Sequence, residues 1–168
     1  MPNKKAAAAF MLAAALCIPC FSLERSSDLY KQGASLAMKG DIDGAIEKFR
    51  KAVEAGPYYC LAHYGLGKAY LYKYGMIDEA IIHLRESVML DRKLARGHFY
   101  LGMAYLLKRN YVYAVHSFKA AYEADDSMIE ALYNIGVAYD MMGKDYNAVI
   151  YFRKYYAEKN NEGGDSLF

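Results

Sequence analysis

The chain has 168 residues, with 21 Lys and Arg against 19 Asp and Glu, a formal net charge of +2. Such a length holds one ordinary domain with a sizeable core, and the near-balanced charge offers no basic stripe for nucleic acid to follow, so no nucleic-acid partner is expected. Hydrophobic residues make up 55%, which excludes a disordered chain, while 18 Tyr beside 7 Phe, 9 Met, no Trp and 3 Pro point to helices and leave a tyrosine excess to explain.

Residues 1–22 (MPNKKAAAAFMLAAALCIPCFS) have the layout of a secretory signal peptide. Lys4 and Lys5 form a short positive region, an apolar run follows from Ala6 to about Cys17, and Pro19 precedes small residues, with cleavage expected after Ser22. Two other fates stay open: retention as a membrane anchor over residues 6–21, for which the Ala-rich run is marginal in length, or attachment of lipid to Cys17 or Cys20. Export to the periplasm or cell envelope is the expectation in each case. Removing the leader takes away two bases and no acid, leaving 19 of each sign. It also takes away Cys17 and Cys20, whose C-x-x-C spacing has no redox scaffold around it, so Cys60 stands alone and packing must hold the fold.

The rest of the chain repeats itself at about 34 residues. Gly33, Gly67, Gly102 and Gly136 fall in one register, as do Ala45, Ala80, Ala114 and Ala148, each followed four residues later by Phe49, Leu84, Phe118 or Phe152. Three residues after each Gly comes Leu36, Tyr70, Tyr105 or Tyr139. Ala52, Ser87 and Ala121 form a column of small residues that ends in Tyr155. The single extra residue sits at the Tyr74-Gly75-Met76 turn. Each interval divides into two amphipathic helical patterns of about 13 residues. In the first, a helix near Asp28–Met38 is expected to stop at Gly40, which suits a left-handed C-cap. Asp41 or Asp43 then caps a second helix near Ile42–Ala55. The same grammar is expected at Asp78, at Asn110, and at Gly143 with Asp145.

A period near 34 with this order of Gly, Tyr, Ala, Phe, Ala and Pro (Gly33, Ala45, Phe49, Ala52 and Pro57 in the first interval) resembles the tetratricopeptide repeat. The resemblance covers about residues 26–160, as units 26–59, 60–94, 95–128 and 129–160, with 161–168 as a flexible tail. Only the first unit has the closing Pro, Arg92 and Asp126 standing in elsewhere. His63 and His98 also occupy a column that the family fills with large apolar residues. The resemblance implies an all-α, right-handed solenoid of about eight helices, whose Gly and Ala columns allow close packing and whose concave groove is lined by the first helix of each pair.

The columns matching that groove are aromatic, aliphatic and Met-rich. Tyr30, Tyr64, Phe99 and Tyr133 stand three residues before each Gly; Ala34, Lys68, Met103 and Val137 stand just after it. Ala37, Leu71, Leu106 and Asp140 come four after, followed by Met38, Tyr72, Leu107 and Met141. Such a lining suits an apolar or aromatic segment of a partner protein, although rings in these columns also pack between helices. The charged variant of the family clamps a C-terminal carboxylate with Lys, Arg and Asn. Only Lys68 occupies a suitable column for that here.

No catalytic set emerges, so no enzyme activity, cofactor or metal is expected. His63 and His98 lie one unit apart, roughly 10 Å, too far to share a metal held at about 2.1 Å. His83 and His116 have no Cys or carboxylate at ligand spacing. Gly65-Leu66-Gly67-Lys68 lacks phosphate-loop spacing, and Asp41-Ile42-Asp43-Gly44 places its glycine too early for a calcium loop. The segment Asn160–Phe168 reads as too short and Gly-rich for a capping helix. Tyr155, with Tyr146, Tyr151 and Tyr156 around it, either covers the end of the stack or forms a homodimer contact. The sequence therefore reads as an exported scaffold. A carrier of a small hydrophobic ligand is the alternative, which the same columns serve equally.

Overall fold

The computed structural model describes residues 22–164, which form eight helices and no strand. They pair as α1 (22–38) with α2 (Ile42–Ala55), α3 (Cys60–Leu71) with α4 (Ile77–Leu90), α5 (Ala95–Leu107) with α6 (Tyr111–Ala124), and α7 (Glu130–Asp140) with α8 (Asp145–Gly164). Each helix packs on the next in chain order, so the molecule is an all-α solenoid of four helix pairs. The expected leader lies outside the described residues except for Ser22, which is already helical.

Close packing between paired helices explains the repeated small residues. A Cβ added at Gly102 would lie 2.7 Å from the Phe118 ring, and one at Gly136 would lie 2.6 Å from Phe152. At Gly67 the added atom would meet both the Leu84 side chain at 2.7 Å and the Ala80 carbonyl at 3.1 Å. Ala45, Ala80, Ala114, Ala52, Ser87 and Ala121 are all fully buried, and Ala148 is nearly so.

Two expectations at helix ends need correcting. α1 is helical from residue 22 rather than from about Asp28. Its extra turns are packed: Ser26 is fully buried, and its Oγ donates to the Ala52 carbonyl across the pair at 2.8 Å. Capping also differs between units. Asp41 Oδ1 accepts from the Gly44 amide at 2.9 Å, but the matching positions are Met76 and Asn110, neither with a side-chain cap bond. Asp78 lies inside the first turn of α4 and pairs with Lys108, as Asp43 pairs with Lys73 at 2.6 Å. These bridges join successive units instead of capping helices.

The turns inside each pair share one backbone solution. Gly40, Gly75 and Gly143 have φ of +83°, +80° and +67°, and Arg109 holds the same place at +60°. Arginine there takes a left-handed conformation that glycine adopts freely.

The ends of the stack are unlike. The outward face of α1 carries exposed Asp28, Gln32 and Ser35, where α3 buries Ala62, Leu66 and Ala69 and α7 buries Ala131, Ile135 and Ala138. At the other end Val149 is 46% exposed, although its counterparts Ile46 and Val115 are buried under the next unit. Tyr155 stands near this end, its ring 5.3 Å from Tyr133 and 5.2 Å from Tyr156. α8 runs on to Gly164, through residues 161–164 that the sequence reading assigns to the tail; residues 165–168 lie outside the described ones.

Candidate functional site

The first helices of the four pairs carry the aromatic column into one surface, but its members differ in exposure. Tyr30 is half-buried, its ring 5.6 Å from Phe49 and 6.0 Å from Tyr59. Tyr64 is only 7% exposed and packs edge-on against Tyr100, so it forms a floor rather than a wall. Phe99 leans on the buried Phe118 at 5.5 Å. Tyr133, 43% exposed, packs on Phe152 and Tyr155 at the open end.

Clefts lie along this surface; one, about 510 Å³, is lined by Tyr30, Tyr64 and Arg96 with Asp91 and Asp125, and two others adjoin at Lys68. The wider, about 600 Å³, is walled by Tyr30, Ala34 and Ala37 of α1, by Tyr64 and Lys68 of α3, and by Tyr72 just after it. Gly65 deepens it, Met38 edges it, and Arg96 of α5 also lines it. The narrower, about 320 Å³, shares Tyr64, Lys68 and Arg96 and continues to Phe99, Tyr100 and Glu130. Lys68 and Arg96 thus line both clefts.

Lys68 is held by rings. Its Nζ lies 4.7 Å from the Tyr100 centroid and 6.0 Å from that of Tyr64, within reach of a cation–π attraction. Neither Lys68 nor Arg96 forms an ion pair with another described residue. Burial raises the Tyr30 and Tyr64 phenols above their ordinary pKa, with the Arg96 guanidinium opposing it at both. Both hydroxyls therefore stay protonated near neutral pH and can donate to a ligand.

Of the groove residues expected from the sequence, Tyr30, Tyr64, Lys68, Tyr72 and Phe99 line the clefts. Leu71, Met103 and Leu106 instead sit half-buried against the inter-helix cores. Val137 and Asp140 stand on α7 away from both clefts, and so does Tyr133. Arg96, Tyr100 and Glu130 line a cleft and were not singled out. A signal existed: six residues before each Gly the chain reads Ser27, Leu61, Arg96 and Glu130, a column whose charge changes at every step after the second.

A second polar cluster lies inside the α3–α4 pair. His63 Nε2 is 3.0 Å from the Pro57 carbonyl oxygen and His63 Nδ1 is 3.2 Å from His83 Nδ1. A carbonyl only accepts, so His63 donates from Nε2, and its Nδ1 is left to accept from the His83 Nδ1–H. Burial, then the neighbouring His63 and Arg50, lowers the His83 pKa below its ordinary value. His98 repeats the first bond alone, its Nε2 3.0 Å from the Arg92 carbonyl oxygen. Burial raises the Cys60 thiol pKa, which keeps it protonated and unreactive. Among the described residues no three His, Cys, Asp or Glu side chains converge on a metal position, and no helix is long and apolar enough to cross a membrane.

The tetratricopeptide-repeat family profile matches residues 29–55 and 130–158, the first and last helix pairs. Those two helix pairs match the tetratricopeptide repeat. The crystal structure of MamA superposes with a TM-score of 0.78 at 25% identity, over 82% of this chain and 80% of that one. TTC0263, a thermophilic TPR protein in Thermus thermophilus, gives 0.65 at 23%, over 77% and 72%. The first TPR of Spaghetti (RPAP3), bound to the HSP90 peptide SRMEEVD, gives 0.68 at 18%, over 72% and 95%. Comparison with curated proteins finds no match.

Proposed function

We propose that this protein is an exported tetratricopeptide scaffold, built of units 26–59, 60–94, 95–128 and 129–160, that holds an apolar or aromatic segment of another protein along its first helices. The observation that carries the reading is the pair of adjoining clefts on α1, α3, α5 and α7, walled by Tyr30, Tyr72, Phe99 and Tyr100. Aromatic rings give large contact area at low entropic cost, and exposed Met38 adds an adaptable edge. The Spaghetti relative is bound to a peptide, which supports a peptide segment as a ligand for this fold. Export rests on the layout of residues 1–22, and the same leader supplies any membrane attachment.

Site-specific photocrosslinking in cells tests the reading. A photoreactive residue at Met38 or Arg96 is expected to capture a protein partner that the same residue at Ile82 or His116, on second helices, does not. Equal capture from all four positions would sink the groove assignment. Native mass spectrometry of the purified protein separates the alternative, since a co-purifying small hydrophobic molecule would make it a carrier.

A further inference from the structure

Neither histidine of the α3–α4 cluster lines the clefts described above. His63 is buried, and its Nε2–H donates to the Pro57 carbonyl at 3.0 Å. That bond fixes the tautomer, so the Nδ1 lone pair of His63 is turned to His83 Nδ1, 3.2 Å away. Metal-ligating histidines are commonly held in this way, one ring nitrogen anchored to a backbone carbonyl and the other offered to the ion. The separation suits an ion as well. Imidazole nitrogens sit about 2.0–2.1 Å from zinc, so two of them on a tetrahedral ion stand about 3.3–3.4 Å apart, against 3.2 Å between these two. His98 shows what the second histidine adds. It repeats the carbonyl bond, to Arg92 at 3.0 Å, but Ser117 occupies the place that His83 holds one unit earlier.

We propose that His63 Nδ1 and His83 Nδ1 form a two-histidine site for a late first-row divalent metal ion of the zinc class, with water filling the remaining positions. Imidazole ligands select such ions over calcium and magnesium, which take oxygen. The proton that His83 Nδ1 donates to His63 relocates through solvent to His83 Nε2 as the ion takes its place. Both rings stay neutral and no net proton is released. The ion lies off the line between the two nitrogens, which a turn of the half-buried His83 ring allows while buried His63 stays in place. Two charged groups on the helices act on His83 in opposite senses. Arg50 of α2, whose Nη2 donates to the Tyr70 hydroxyl at 3.4 Å, opposes a cation, and Glu86, three residues after His83 on α4, favours one. With two protein ligands and an opposing guanidinium, occupancy follows the supply of the ion. Once bound, the ion ties α4 to α3, the helix that carries Tyr64 and Lys68, and stabilises the folded chain by linkage.

Zinc titration of the untagged full chain, followed by the imidazole nitrogen signals in heteronuclear NMR, tests the site. The readout is taken at the rings themselves, which zinc held by Cys17 and Cys20 would leave unmoved. Zinc is expected to shift the Nδ1 signals of His63 and His83 together and to leave those of His98 and His116 in place. His83→Gln should weaken zinc binding at the His63 signal by at least about tenfold. Arg50→Gln, at an exposed position, should tighten binding several-fold, and Glu86→Gln should weaken it. His98→Ala should bind zinc at the pair as wild type does. If circular dichroism shows His83→Gln misfolded, the opposed effects of Arg50→Gln and Glu86→Gln decide. No zinc-dependent shift at the His63 and His83 rings would overturn the site. So would unchanged affinity in a folded His83→Gln chain, or equal affinity in the Arg50 and Glu86 variants.

Discussion

The packing glycines allow a sharp comparison, because the same substitution meets different surroundings along the stack. In Gly102→Ala the new Cβ would come within 2.7 Å of two atoms of the Phe118 ring, which is fully buried and already in edge contact with Phe99. That ring cannot withdraw, and forcing a methyl into a packed interior costs about 1–3 kcal/mol. Alanine regains about 1 kcal/mol of helix propensity over glycine, so the net loss should be about 1 kcal/mol, and at most about 2. Gly136→Ala presents a similar distance, 2.6 Å to Phe152, but Phe152 is only half-buried at the open end. There the ring can shift toward solvent, and stability should change by less than about 0.5 kcal/mol or rise. Urea unfolding followed by circular dichroism, with slopes compared between variants, reads both values. Equal losses at the two sites, or stabilisation by Gly102→Ala, would refute the claim that an immobile ring sets the cost.

Three further outcomes follow from features described above. Arg109→Gly should stabilise the protein by about 1 kcal/mol, because the residue occupies the left-handed place that glycine fills in the other three turns; unchanged thermal unfolding would contradict it. His83 has a folded-state pKa below the 6.5 of the unfolded chain, so its contribution is intact above that pH and is lost as pH falls through the lowered folded value. The urea midpoint of wild type should then drop below pH 6.5 more steeply than that of His83→Phe, and parallel curves would exclude the histidine pair as the cause. Tyr155→Ala strips the ring that covers Tyr133 and should expose the end face. Sedimentation velocity at rising concentration would show new association if Tyr155 caps the stack, or loss of existing association if it forms a dimer contact.

What recurs in the sequence proved easier to read than what does not. Gly33, Gly67, Gly102 and Gly136 repeat because every helix pair meets the same steric demand, so the period alone locates the helices and their contacts. The turn at Gly40 repeats for the same reason. Arg96 and Glu130 belong to a column that packing leaves unconstrained, and a comparison of units passes over residues that differ in each. The His63–His83 contact was hidden similarly: His98 repeats His63 but Ser117 stands in the place of His83, and 20 residues of hairpin separate the two histidines. Capping failed at Asp78 because it stands two residues before Ala80, the place of Asp43 before Ala45, while Met76 takes the N-cap position that Asp41 holds in the first pair. Tyr64 could be assigned to the right surface, but not to its floor, because depth depends on Tyr100 from the next unit.

The unlike ends of the stack give the architecture a direction of growth. A unit fused before α1 would have to bury Asp28 and Gln32 against an apolar surface, stranding their polar groups. A unit fused after α8 would find Val149 and Phe152 placed like the residues that already receive a following helix, with Tyr155 as the one side chain too large for its column. Duplication of a helix pair, by evolution or by design, can therefore lengthen this solenoid at its carboxyl end after a single Tyr155→Ala change. Extension at the amino end requires rebuilding a whole helix face.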